Sequence, residues 1–366
     1  MHYTREDMDK EQSRPMPSVV SADLSGKTVI VTGANVGIGL EAAKHFARMN
    51  PSKLIIACRS QEKGEDAKKE IVKDTNCQNV EPWILELSNF ASVKAFADRA
   101  EAELDRIDYL IENAGVAVAG KYSATEDGWE TILQVNDLAP TLLALRLLPK
   151  MMETAKKYAT FPRLVVVSSN THYWSTIEKE ILDAPKGKLL ELFSSQEYCS
   201  RDPAILRNRY QDSKLFNVLF VRALTARLPF PSPNGDPPTI TPVAINPGFC
   251  ISSLRRGFVG EEHRERREIF EKMEKEIAFT AEEGSRQLVY GALGGRDGDD
   301  TKQEDVEKKM RGGYVIMSEL AEVSDFVLSE DGKKLEGRIW ASSSYFTHIY
   351  DLLIEVSIGR RCGDIE

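Results

Sequence analysis

The sequence predicts an α/β fold built on a parallel sheet with helices on both faces. Two observations carry that prediction. Short, β-branched apolar runs alternate along the chain with longer stretches of helical character. The runs are also continuously apolar, as expected for strands covered on both sides, rather than alternating apolar and polar.

Residues 27–31 (Lys-Thr-Val-Ile-Val) form the first predicted strand, which stops at Thr32-Gly33 and leads into a helix over about 37–49. Residues 54–57 are a second apolar run, followed by a polar helical segment over 61–73. A third strand is expected at 80–85, an amphipathic helix at 92–104, and a fourth strand at 109–111, ending at Asn113-Ala114-Gly115. Residues 128–148 read as helix and 164–167 as the fifth strand. A long helix over 211–228 precedes a sixth strand at 239–245, which ends at Asn246-Pro247-Gly248. Right-handed crossovers turn this order into a doubly wound, Rossmann-like sheet. No internal repeat or linker divides it, so residues 25–366 are expected to form one domain behind a polar extension, residues 1–24. Substrate or lid elements are expected at about 173–209 and 250–280, where the strand–helix rhythm breaks. Residues 294–313, rich in Gly and Asp and then charged, read as a surface loop.

Composition narrows the function. With 366 residues, 42% hydrophobic and 29% charged, the chain can bury a large core. A net charge of −9 argues against general nucleic-acid binding. Five scattered cysteines and five scattered histidines show no C-x-x-C or H-E-x-x-H spacing, so free thiols, a reducing cytoplasmic setting and no metal site are expected. The first 25 residues lack the apolar core of a signal peptide. No window approaches the ~20 apolar residues of a membrane span.

Gly33-x-x-x-Gly37-x-Gly39 lies between a strand and a helix, where a dinucleotide fingerprint belongs. Glycines there let the backbone approach a pyrophosphate whose charge rests on the helix N-terminus. Roughly twenty residues on, an NAD site carries an acid, whereas an Arg accommodates a 2′-phosphate. Here the second strand ends Ala57-Cys58-Arg59, with Lys63 one turn further. This favours NADP(H), with NAD(H) the alternative.

Tyr210 and Lys214 stand four apart, so a helix places them on one face, one turn from each other. A nearby ammonium favours the phenolate, and a Tyr so tuned can exchange a proton with a carbonyl or alcohol oxygen near neutral pH.

The ordered set Thr32 to Gly39, Asn113-Ala114-Gly115, Asn136, Ser168-Ser169, Tyr210/Lys214 and Pro247-Gly248 resembles the short-chain dehydrogenase/reductase family over about residues 25–290. Within it, the look is that of the retinol-dehydrogenase and WW-domain-oxidoreductase branch. The residues behind this are Ala57-Cys58-Arg59, Ser168-Ser169-x-x-His172 and the run from Ser213 to Phe220. The resemblance implies a catalytic tetrad of Asn136, Ser169, Tyr210 and Lys214. Ser169 is chosen over Ser168 because the family uses the second serine of the pair. Asn136 would hold a water linking Lys214 to solvent. The resemblance also implies cofactor contacts from Gly33, Asn35, Val36, Gly37, Ile38, Gly39, Arg59, Lys63, Glu86, Leu87, Asn113, Ala114, Gly115, Tyr210, Lys214, Pro247, Gly248 and Ser252. Homo-oligomers are common in the family.

Three departures stand out. Glu86-Leu87 replaces the usual Asp-Leu beside the adenine, Asp137 replaces the branch's His, and the stretch between Ser169 and Tyr210 is unusually long. A substrate carried over from retinol dehydrogenases is therefore unreliable. His172 reads first as a structural hydrogen-bonding residue and Cys250 as a buried inert thiol. The charged segment 255–276 has apolar positions at helical spacing and is either a solvated helix or a substrate lid. Tyr173, Trp174 and Phe249 would make the pocket aromatic. The expected reaction is NADP(H)-dependent interconversion of a ketone or aldehyde and an alcohol on a bulky apolar molecule of terpenoid, polyketide, steroid or retinoid type. The alternatives are a redox-assisted epimerase or isomerase, or a cofactor-binding regulator without turnover.

Overall fold

The computed structural model describes residues 1–117, 120–175, 177–228, 239–255, 263–295 and 303–345. Among these, an eight-stranded sheet runs in the order β3-β2-β1-β4-β5-β6-β7-β8. Its strands are β1 (Thr28–Thr32), β2 (Lys53–Cys58), β3 (Val80–Ile84), β4 (Tyr109–Glu112), β5 (Arg163–Val167), β6 (Thr241–Asn246), β7 (Tyr314–Ile316) and β8 (Glu319–Ala321). All pair in parallel except the β7–β8 hairpin. Its tight turn places Met317 and Ser318 at φ 51° and 61° without a glycine. Three-residue strands joined by such a turn carry no periodic signal, so the sequence reading stops at six strands.

Alternation along each strand splits the core in two. In β1, Val29 and Val31 face one cluster and Ile30 the other; in β4, Tyr109 and Ile111 oppose Leu110. The helices before the middle of the chain are α1 (Arg5–Gln12), α2 (Gly37–Arg48), α3 (Gln61–Thr75) and α4 (Phe90–Glu103). Next, α5 (Thr131–Leu133) opens into a π-turn at Gln134–Leu138 and continues as α6 (Ala139–Tyr158). Then follow α7 (Lys179–Leu182), α8 (Leu189–Ser194), α9 (Gln196–Arg201) and α10 (Pro203–Arg227). The last are α11 (Arg264–Ile277), α12 (Ala281–Leu293), α13 (Gln303–Met310), α14 (Asp325–Leu328) and α15 (Glu330–Tyr345). Helices α2, α3 and α12 cover one face; α4, α6 and α10 cover the other.

Four segments differ from the sequence expectation. Helix α10 starts at Pro203, eight residues early, because Asp202 Oδ1 caps the Ala204 amide and Pro203 sits in the first turn. Within 173–209, residues such as Ile181, Leu189, Phe193 and Cys199 are buried core, and α7 and α8 pack under α15. Much of that stretch is therefore scaffold. The expected loop at 294–313 contains α13, whose Glu307 pairs with Arg163 by two hydrogen bonds of 2.8 and 2.9 Å, both side chains fully buried. Finally, residues 1–24 do not stand off the sheet. Thr4 and Asp7 form a capping box that starts α1, and Tyr3, Met8, Glu11, Gln12 and Met16 are buried.

Among the described residues, no helix is long and apolar enough to cross a membrane. Cys58, Cys77, Cys199 and Cys250 are buried. The described residues contain no cluster of three or more His, Cys, Asp or Glu able to hold a metal.

Candidate active site

The Gly-rich turn joins β1 to α2 with Gly33 and Gly37 at φ +66° and +62°. Gly39 has a different reason to lack a side chain. A Cβ there would stand 2.5 Å from Gly33 O and closer still to the Asn113 amide. Asn113 in turn donates through Nδ2 to Thr32 O at 2.9 Å, while Thr32 Oγ1 accepts from the amides of Asn113 and Ala114, each at 3.0 Å. The turn and the Asn-Ala-Gly strand end thus lock into one cradle, and the N-terminus of α2 opens on it. Asn35 and Ile38 are half-buried at its rim and Val36 is exposed.

Arg59 lies exposed just past the end of β2, and Lys63 is exposed in the first turn of α3. Glu86 is half-buried after β3, its carboxylate accepting from the amide and hydroxyl of Ser88; Leu87 is buried. Leu87 O accepts from Gln134 Nε2 at 3.4 Å, while the end of β2 meets the cradle through Ala57 O, which accepts from the Gly33 amide at 2.8 Å.

The second group gathers where β4, β5 and β6 end. Lys214 Nζ is 5.5 Å from the Tyr210 ring centre and donates to Val167 O at 2.8 Å. Ser168 is buried and donates to Lys214 O at 2.8 Å, which ties α10 to the end of β5. Ser169 is half-buried, and its hydroxyl accepts from the Thr171 amide at 3.2 Å and donates to Asn170 Oδ1 at 3.4 Å. The two serines of the pair therefore differ: Ser168 is tied to α10, whereas Ser169 bonds only its own turn among the hydrogen bonds described. His172 is buried and spans Ser169 O (2.8 Å) and the Ser324 amide (3.3 Å). The amide must donate to Nε2, so Nδ1 carries the proton. Burial holds this ring's pKa down at about 4.

Asn136 lies in the π-turn, a feature that recurs at functional sites. Its side chain is fully engaged. Oδ1 accepts from the Val116 amide at 2.8 Å, and Nδ2 donates to Val116 O and Ser213 Oγ, each at 3.0 Å. Its main-chain carbonyl lacks an ordinary helical donor because the residue four positions on is Pro140. Asn217 supplies one: Nδ2 donates to Asn136 O at 2.8 Å and to Asp137 Oδ1 at 3.0 Å, while Oδ1 accepts from Lys214 Nζ at 3.2 Å. Asn217 therefore stands between the Asn136 carbonyl and the lysine, where the family resemblance implies a water. The Asn-x-x-x-Pro spacing and the Asn217 amide were both visible in the sequence, but their link crosses the fold.

Beneath the pair lies a buried set of charges. Burial brings Lys214 down to about 8, opposed by the charge of Asp137. Burial pushes Asp137 well above the carboxylate range, opposed by Lys214. Asp212, held by Ser175 Oγ at 2.7 Å, is pushed up to about 7 by burial. Lys214 and Asp212 thus both titrate near neutrality, which suits a site that moves protons.

Gly248, at φ +81°, packs on Phe279 and Gln12; Pro247 is buried. Cys250 is buried with Sγ 3.3 Å from Pro247 O. Ser252 is half-buried and accepts weakly from the Leu254 amide at 3.4 Å. Of the segment 255–276, residues 256–262, including Phe258, lie outside the described residues. Residues 264–276 lie in α11, whose Ile269 is exposed.

The short chain dehydrogenase family model matches residues 27–175. The chain is 35% identical over 333 residues to the short chain dehydrogenase/reductase dmxR8 of Cryptosporiopsis sp., covering 90% of this chain and 92% of that one. It is also 35% identical over 279 residues to the short chain dehydrogenase sol3 of Alternaria solani, covering 76% and 88%. Among solved structures, RhlG of Pseudomonas aeruginosa in an active-site complex with NADP shares the fold with a TM-score of 0.53 and 20% identity, over 80% of this chain and 95% of that one. A short chain dehydrogenase of Shigella flexneri complexed with NADP aligns with a TM-score of 0.53 and 19% identity, over 80% and 97%. The chain belongs to the short-chain dehydrogenase/reductase family and is an oxidoreductase of that family.

Proposed function

We propose that the chain interconverts a ketone or aldehyde and an alcohol on a bulky apolar small molecule, using NADP(H). The observation that carries this reading is the Tyr210–Lys214 pair on one face of α10, a helix that also holds the end of β5 through Val167 and Ser168, next to Ser169.

The Gly33–Gly39 cradle fits a dinucleotide, because a Cβ at Gly39 would occupy the space its close backbone packing needs. Arg59, exposed and with no acid at the end of β2, supports a 2′-phosphate, and Lys63 and Glu86 would flank the adenosine end. When bound, the nicotinamide supplies or accepts the hydride. The chain's own groups do the rest. In reduction, Tyr210 gives its hydroxyl proton to the substrate oxygen, and in oxidation it takes that proton back. Ser169 Oγ hydrogen-bonds the same oxygen and steadies its developing charge. Lys214 favours the phenolate that Tyr210 becomes and would hold the nicotinamide ribose. Asn217, between Lys214 and the Asn136 carbonyl, keeps the ammonium aimed at Tyr210. Pro247, Gly248 and Ser252 would border the nicotinamide. Half-buried Tyr173 and Phe249 support an apolar substrate.

The test is a fluorescence titration with NADPH, followed by NADPH consumption with a panel of apolar ketones. The wild type is expected to bind and consume NADPH, and Tyr210→Phe to bind it without turnover. Equal consumption by both proteins would refute Tyr210 as the proton donor. Binding with no reaction across ketones and alcohols would favour a regulator.

A further inference from the structure

We propose that the N-terminal segment completes the carbonyl end of the site, with Tyr3 and Glu11 as positioning residues that act on Ser169 through Asn170. Gln12 fixes the facing turn at Gly248-Phe249. The inference rests on the reading of Ser169 as the group that meets the substrate oxygen.

A hydrogen-bond chain leads from α1 to that serine. Asn246 Nδ2 donates to Glu11 Oε1 at 3.2 Å, and Tyr3 OH donates to Glu11 Oε2 at 2.7 Å. Asn170 Nδ2 then donates to the Tyr3 oxygen at 3.4 Å, and Ser169 Oγ donates to Asn170 Oδ1 at 3.4 Å. The direction of the chain follows from its origin. An ionised carboxylate only accepts, so Tyr3 must donate to it and keeps its lone pairs for Asn170. The Asn170 amide then turns its oxygen to Ser169, whose hydroxyl proton points back along the same line to that oxygen. Because that last bond is long, it is weak and readily exchanged for a bond to a substrate oxygen. Thr171 N–H holds the serine's other side at 3.2 Å.

The remaining contacts show a built wall. The Tyr3 ring stacks on Tyr173 with centroids 4.5 Å apart, and Trp174 Nε1 donates to Tyr3 O at 2.9 Å. Gln12 grips Phe249 through both its amide (2.9 Å) and its carbonyl (3.0 Å), and also donates to Ile277 O at 2.8 Å. One short helix therefore joins the turn after β5, the turn after β6 and the end of α11. Gly248 also belongs to this joint, since a Cβ there would lie 2.9 Å from Gln12 Oε1. Asn246, which donates to Glu11, accepts from the Gly248 amide at 3.1 Å, so both turns hang on the same carboxylate.

The experiment compares Tyr3→Phe, Glu11→Gln and their double variant with the wild-type enzyme. Each single variant removes one link while keeping its shape. Turnover is expected to fall about tenfold in kcat, with the NADPH dissociation constant and melting temperature little changed. The double variant should be no slower than the singles, because both cut one chain. Additive losses, wild-type kcat, or losses of NADPH binding and melting temperature in step with turnover would each overturn the proposal. Hydrogen exchange provides a readout that does not require turnover, and it stands even if no ketone in the panel reacts. Tyr3→Phe should speed exchange at the Thr171 amide and Gln12→Ala at the Phe249 amide, with residues 33–39 unaffected. Unchanged exchange at both amides would overturn it.

Discussion

The two ends of the site are assembled in opposite ways. At the cradle, the residues that shape the backbone lie within one eight-residue turn and one strand end, Thr32 to Gly39 and Asn113-Ala114. At the carbonyl end, Ser169 bonds Asn170, which reaches Tyr3 and through it Glu11 of α1 and Asn246 of β6, while the neighbouring Ser168 is tied to α10, so the partners are spread from residue 3 to residue 246. Local backbone geometry builds the first and tertiary packing the second. A short motif can encode the cradle, whereas the carbonyl end depends on partners spread along the chain.

Mutations should pull the two ends apart. The largest effect is expected from Tyr210→Phe, which should lower kcat by roughly 10²–10⁴-fold while NADPH titrates as in the wild type. Weakened NADPH binding in that variant would show that the ends are not separable. Next comes Gly39→Ala, whose Cβ must displace Gly33 O and Asn113. NADPH affinity should fall by about 10²-fold, with the far-UV circular dichroism of the wild type retained. Arg59→Asp should weaken NADPH by about tenfold and spare NADH, measured by parallel titrations; equal effects would remove the phosphate assignment. Asp137→Asn removes a charge that raises Lys214, so the lysine should lose its proton at lower pH still. The alkaline limb of the pH–rate profile should move to lower pH, and an unmoved limb would uncouple the two residues.

The smallest effect concerns stability alone. His172 is neutral when folded, with a pKa of about 4, so below its unfolded value of about 6.5 the unfolded chain binds the extra proton. Stability is therefore expected to decline as pH falls from about 6.5 towards 4. Melting curves of wild type and His172→Gln should converge over that range, the variant being less stable at neutral pH because it loses the fit between Ser169 O and the Ser324 amide.

The same contrast explains how much was legible in the sequence. The first six strands and most of the helices that cover them show as runs and periods. The Gly-rich turn, Asn113-Ala114-Gly115 and the Tyr210–Lys214 pair show because each is a short pattern whose geometry is intrinsic. Hidden were the features made by distant partners. Arg163 and Glu307 look like ordinary charged residues until the fold buries them against each other. The start of α1 did carry a local mark, Thr4-x-x-Asp7, but its polar composition concealed a helix with a buried face. The scaffold at 177–206 packs against α15, so its shape is written partly in residues more than a hundred positions away.

Pro140 shows what such a design costs. By propensity alone it is a defect, an imide near the start of a long helix, and an engineer seeking a sturdier protein would replace it with alanine. The replacement restores a main-chain donor in the place where Asn217 now reaches the Asn136 carbonyl. Repairing the helix would set a rival against the amide that steadies Lys214, and the gain in heat resistance would come at the expense of proton handling.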